Sequence, residues 1–156
     1  MIAFTHRRGG YVARFEPIEA TVLMNLADEL VEKLDAADAA DPATLRLLPD
    51  AYRGDPEAAA EFRRYTQEGL VERKIRNARA ISAAVQTVAA GGVRAKVVLS
   101  PDDAQAWIRG LSDIRLTLAT RLGIETDDDE PDWEQPVAQL YGWLGYVQES
   151  LVQALS

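Results

Sequence analysis

Leu99 to Glu125, LSPDDAQAWIRGLSDIRLTLATRLGIE, decides how the rest of this 156-residue chain is arranged. Ser100 can cap the first turn with its hydroxyl, Pro101 suits the first helical position, and Asp102 and Asp103 sit where a helix dipole favours negative charge. Gly123 supplies the stop. Between these signals Ala104, Trp107, Ile108, Leu111, Ile114, Leu118 and Leu122 recur at three- and four-residue steps, so at about 100° per residue they fall in one arc. Arg115 lies inside that arc, and Leu116 projects roughly opposite to it. A helix apolar on both sides with a guanidinium in its seam belongs in the interior of a fold. The predicted class is α+β, mostly α-helical: a helical bundle around a central helix at 100–122.

Working outward, Ile2 to Phe15 reads as two short runs, IAFTH and YVARF, separated by Arg7, Arg8, Gly9 and Gly10. A glycine pair tolerates the positive φ angles of tight turns, so this is a hairpin signal. Residues 93–99 alternate before running apolar, which predicts a third strand and a small three-stranded antiparallel sheet. Pro17 opens a helix with Ile18, Val22, Leu23, Leu26, Leu30 and Leu34 on its inner face. From Pro42 to Pro56 the periodicity fails, leaving a loop with one helical turn around Leu45 to Leu48.

Asp55, Pro56 and Glu57 form a further helix start, and Thr66 and Gly69 mark an expected break before a longer helix at 67–90. Val71, Ile75, Ala78, Ser82, Val85 and Val88 define its inner face, and Gly91 and Gly92 end it. An acidic loop at 125–132 precedes a last helix at 134–155, whose inward stripe is Val137, Leu140, Leu144, Val147, Leu151 and Leu155. No internal repeat is evident, and the length predicts a single domain over 1–156.

The 17 basic and 25 acidic side chains give a net charge of -8, which opposes nonspecific attraction to nucleic acid or an anionic membrane. The charge is unevenly spread: residues 57–124 are net +4, whereas residues 125–156 carry eight acids and no base. With no cysteine, the chain can form neither a disulfide nor a thiolate metal site. No apolar run approaches the roughly 18 residues of a membrane span, so the expectation is a cytoplasmic protein without membrane contact.

Catalytic motifs are absent from the sequence: there is no phosphate-binding Gly-rich loop, no H-E-x-x-H and no G-x-S-x-G. His6, the one histidine, has no suggested acid-base partner, and Asp127, Asp128, Asp129 and Glu130 lack the spacing of an EF-hand loop. The expectation is therefore a non-enzyme with no catalytic residue, cofactor or metal. Arg63, Arg64, Arg73, Lys74, Arg76 and Arg79 form the best electrostatic candidate, a strip able to offer several cations to phosphates. Arg73, Arg76, Arg79, Leu116 and Tyr146 are the candidate partner-binding residues, Tyr146 because it points away from the last helix's apolar stripe beside Gly142. Trp107 and Arg115 are read as structural, and a cation in an apolar arc implies a paired carboxylate.

Three separated runs, Leu47 to Ala78, Leu99 to Glu125 and Tyr141 to Leu155, resemble in order the actinobacterial AosR family of oxidative-stress responsive regulators, catalogued as a domain of unknown function. The resemblance implies a transcription-associated regulator acting through protein contacts with RNA polymerase or a sigma factor, and a homodimer is compatible with it. Oxidant sensing in that family is attributed to a cysteine pair, and this chain has none, so no sensing residue carries over. Two alternatives accompany that reading. One is direct nucleic-acid binding through the strip from Arg63 to Arg79; the other is an adaptor in Clp-dependent proteolysis, suggested by the neighbourhood of family members' genes.

Overall fold

A computed structural model of the chain describes residues 1–48 and 57–156, and of 57–66 it describes the backbone only. Strands β1 (Ile2–Arg7) and β2 (Gly10–Phe15) form the predicted hairpin, and β3 (Ala95–Leu99) pairs antiparallel with β2 to give the order β1-β2-β3. Gly10 has φ +131° and passes so close to β3 that a Cβ there would lie 2.4 Å from the Leu99 carbonyl oxygen. Both the angle and the gap demand glycine. The register pairs Tyr11 with Leu99, Ala13 with Val97 and Phe15 with Ala95, so these alternate residues form the sheet's inner face. In β1 the pairing slips between Ile2 and Thr5; Phe4 enters the core there, and its backbone N–H donates to Ser150 Oγ at 3.3 Å.

Helix α1 (Pro17–Ala36) begins with a capping box in which Glu16 N–H donates to Glu19 Oε1 at 2.8 Å. It buries Ala20, Leu23, Ala27, Leu30 and Leu34. Ile18 departs from the expected inner face and is 69% exposed, because the small Ala20 takes the first-turn position against the core. The short α2 (Pro42–Leu47) covers the expected helical turn and starts a residue after Asp41, which caps it. The Lys33 ammonium beside Asp41 holds that carboxyl below its ordinary range, tying the end of α1 to the start of α2.

Helix α3 (Glu57–Gly91) runs unbroken for 35 residues, so the expected break at Thr66 and Gly69 is overturned. A glycine inside a helix costs only about 1 kcal/mol relative to alanine, and Leu70, Val71 and Ile75 in the turns that follow pack against the core. Strand β3 starts at Ala95, two residues later than expected, after Gly92 at φ +75°. The central helix, α4 (Pro101–Arg121), carries the predicted cap: Asp103 N–H donates to Ser100 Oγ at 3.1 Å. It touches α1, α2, α3, α5, β2 and β3, which puts it in the middle of the fold. Trp107 is fully buried, edge-on to Phe4 at 5.5 Å and tilted against Phe15 at 6.1 Å, and its Nε1–H donates to the Ala80 carbonyl of α3 at 3.3 Å. One side chain thus joins the sheet to two helices.

The last helix, α5 (Pro136–Leu155), starts at Pro136 rather than 134 and buries Ala138, Leu144, Val147, Ser150 and Leu151. Its glycines serve packing inside the chain. A Cβ on Gly142 would meet the Trp133 ring at 3.1 Å, and one on Gly145 would meet the Arg115 guanidinium at 3.2 Å.

Candidate functional site: a cationic groove between two helices

Helices α3 and α4 approach closely because position 110 has no side chain: a Cβ on Gly110 would lie 2.8 Å from Ile81 Cδ1 and 3.2 Å from the Asn77 carbonyl oxygen. Along that seam runs a groove of about 830 Å³ with apolar walls from Leu70, Ala80, Ala106 and Ile108. At its base the Lys74 ammonium donates to Asp113 Oδ1 at 2.7 Å, with the two side chains 19% and 10% exposed. Burial pushes the Asp113 carboxyl above its ordinary range, and the hydrogen bond and charge of Lys74 pull it only partly back.

Arg73, Arg76 and Arg109 line the same groove, are exposed, and make no ion pair among the described residues. Asp103 is the remaining acid on its rim. With Lys74 engaged by Asp113, three guanidiniums are left facing solvent over an apolar wall. That arrangement can take carboxylates or phosphates bidentately while an apolar segment lies between the helices.

Of the strip foreseen in the sequence, Arg73 and Arg76 meet in the groove, joined by Arg109 from α4, whereas Arg79 is exposed and does not line it. The side chains of Arg63 and Arg64 lie outside the described residues. Tyr146 is 54% exposed and borders a second, shallower cleft of about 550 Å³ beside Thr5, His6 and Glu149. His6 stacks on Tyr11 at 4.7 Å, exposed at the hairpin edge. Leu116 is half-buried against the core.

Trp107 holds the core as the sequence suggests; Arg115 has a different partner from the one expected. No carboxylate pairs with it among the described residues: its guanidinium lies 4.4 Å above the Tyr141 ring, and Nη1 donates to Gln148 Oε1 at 3.3 Å. An aromatic face and a neutral amide replace the predicted ion pair. The buried pair belongs instead to Lys74 and Asp113, and sequence reasoning missed Asp113 and Arg109. Among the described residues no cluster of His, Asp or Glu could hold a metal, and no helix is long and apolar enough to cross a membrane. In the acidic loop, Asp129 accepts the backbone N–H groups of Glu125 at 2.8 Å and Thr126 at 3.0 Å, which lowers its carboxyl from the ordinary range.

Fold and groove together define a mostly helical α+β protein with a positively charged interhelical surface. Residues 1–155 match the family described as a domain of unknown function (DUF2017), and the chain belongs to that family. Relatives named oxidative stress regulator AosR in Mycobacterium bovis and in two strains of Mycobacterium tuberculosis are each 32% identical to it, over 89% of this chain and 79% of theirs. No solved structure matches it.

Proposed function

We propose that this chain is a non-catalytic transcription-associated regulator that works through protein contacts, with the α3–α4 groove receiving an acidic segment of RNA polymerase or a sigma factor. The observation that carries this reading is the set of three exposed guanidiniums over an apolar wall, on a protein whose overall net charge is -8. Such a surface selects an acidic amphipathic segment and speeds its encounter. The similarity to proteins named oxidative stress regulator supports a regulatory role. The chain has no cysteine and so supplies no sensing thiol of its own.

Affinity capture of RNA polymerase and sigma factors by the full chain, under reducing and oxidising conditions, tests the proposal. Enrichment that disappears in R73E/R76E/R109E sustains it; absence of enrichment under both conditions counts against it. Direct nucleic-acid binding is the second reading, favoured by the same guanidiniums. It predicts a low-salt mobility shift that is lost when Arg73, Arg76 and Arg79 become Glu.

A further inference from the structure

Next to the groove, sharing Ser112 with it, where α2, α4 and the start of α5 meet the 124–127 segment, a cleft of about 220 Å³ is lined by Arg46, Ser112, Arg115, Thr126 and Tyr141. Both guanidiniums are fixed in place by neutral groups. Arg46 Nη1 donates to Thr120 Oγ1 at 3.0 Å and to the Ile124 carbonyl at 2.9 Å. Arg115 is held between the Tyr141 ring and the bare backbone of Gly145, and Nη1 donates to Gln148, whose amide in turn donates to Ser112 Oγ at 2.6 Å and the Ile108 carbonyl at 2.8 Å.

Each guanidinium has five N–H donors, and here each uses Nη1 alone among the described residues. Arg115 Nε is buried with no acceptor. A buried donor left without a partner is costly, and among the described residues neither cation forms an ion pair. An oxyanion would engage the Nη donors left unused and offset the charge at once, while Arg115 Nε stays enclosed by protein.

We infer that this cleft is a binding site for a small oxyanion, a phosphate or a carboxylate, gripped by Arg46 and Arg115. Its arginines are not those of the groove between α3 and α4, and the inference does not rest on the reading built on that groove. Glu125 and Asp127 also border the cleft, and neither pairs with either arginine. The turn that carries them is closed by Asp129 instead. Their negative charges oppose an incoming anion, so removing those charges strengthens anion binding.

Calorimetric titration and thermal melts of the full chain, at low ionic strength with inorganic phosphate and with succinate against a chloride control, test the site. Saturable binding is expected, weakened about tenfold in R46Q and in R115Q, tightened in E125Q/D127N and unchanged in R73E/R76E. Binding of phosphate alone assigns a phosphoryl ligand, and binding of succinate assigns a carboxylate. Among the described residues Arg46 is hydrogen-bonded only to a hydroxyl and a chain carbonyl, so R46Q keeps its fold and decides the matter even if R115Q does not. No saturable binding of either anion, binding indifferent to R46Q, or binding weakened by E125Q/D127N or R73E/R76E overturns the inference.

Discussion

Replacing Lys74 by Met would leave Asp113 in place, nine-tenths buried and stripped of its counter-ion. Removing one partner of a buried pair costs about 3–5 kcal/mol, and because the Lys74 side chain keeps a fifth of its exposure the lower figure, about 3 kcal/mol, applies. For a chain of this size that is a loss of roughly 6–12 °C in Tm. The deficit must depend on pH. Burial already raises the Asp113 carboxyl with Lys74 present, so without Lys74 it rises further. A carboxyl raised in the folded state favours folding when protonated; that contribution is complete below the ordinary carboxyl range and is lost as pH climbs through the raised value. Lys74→Met is therefore weakest at pH 8 and recovers toward wild type as the medium is acidified. Pairing it with Asp113→Leu removes the stranded carboxylate and should bring stability back to within about 1 kcal/mol of wild type with the pH dependence gone. Urea unfolding followed by circular dichroism at several pH values measures all three proteins. A Lys74→Met deficit that ignores pH, or a double variant as unstable as the single one, would refute the reasoning.

Three further outcomes rest on single contacts. Gly110→Ala should destabilise by about 1–2 kcal/mol despite alanine's better helix propensity, because the new methyl meets Ile81 and the Asn77 backbone; denaturant midpoints measure it. Trp107→Ala should cost about 3–5 kcal/mol, the loss of a fully buried ring against Phe4 and Phe15, and a melting temperature near that of wild type would show the core is built otherwise. Ser150→Ala should cost about 1–2 kcal/mol, because it leaves the Phe4 amide without its acceptor; hydrogen exchange at Phe4 should accelerate with it.

The parts of the fold with strong periodicity and caps were legible in the sequence. Ser100, Pro101 and the arc from Ala104 to Leu118 placed α4 and its central position, and the glycine pair with its flanking runs placed the hairpin. The errors have physical causes. Gly69 reads as a breaker in isolation, yet α3 runs through it, with Leu70, Val71 and Ile75 packed against the core just beyond. Arg115 reads as half of an ion pair because spacing alone cannot show that Tyr141, 26 positions away in sequence, turns its face to the guanidinium.

The groove was half legible. Arg73 and Arg76 share a helix face, but Arg109 joins them only through the crossing of α3 with α4. The spacing of Ala106, Gly110 and Asp113 along one side of α4 is the signal that could have revealed it. Small residues one turn apart mark a close helix neighbour, and an acid continuing that line needs a cation from that neighbour.

The central claim is that Arg73, Arg76 and Arg109 act together on an acidic partner. Its most direct measurement is the affinity of the immobilised full chain for purified RNA polymerase holoenzyme by surface plasmon resonance, over a range of salt. The account predicts that the wild-type protein and Arg79→Glu bind alike, more weakly as salt rises, and that R73E/R76E/R109E binds at least about tenfold less tightly. Equal affinity in the triple variant, or no binding by the wild type, would contradict it.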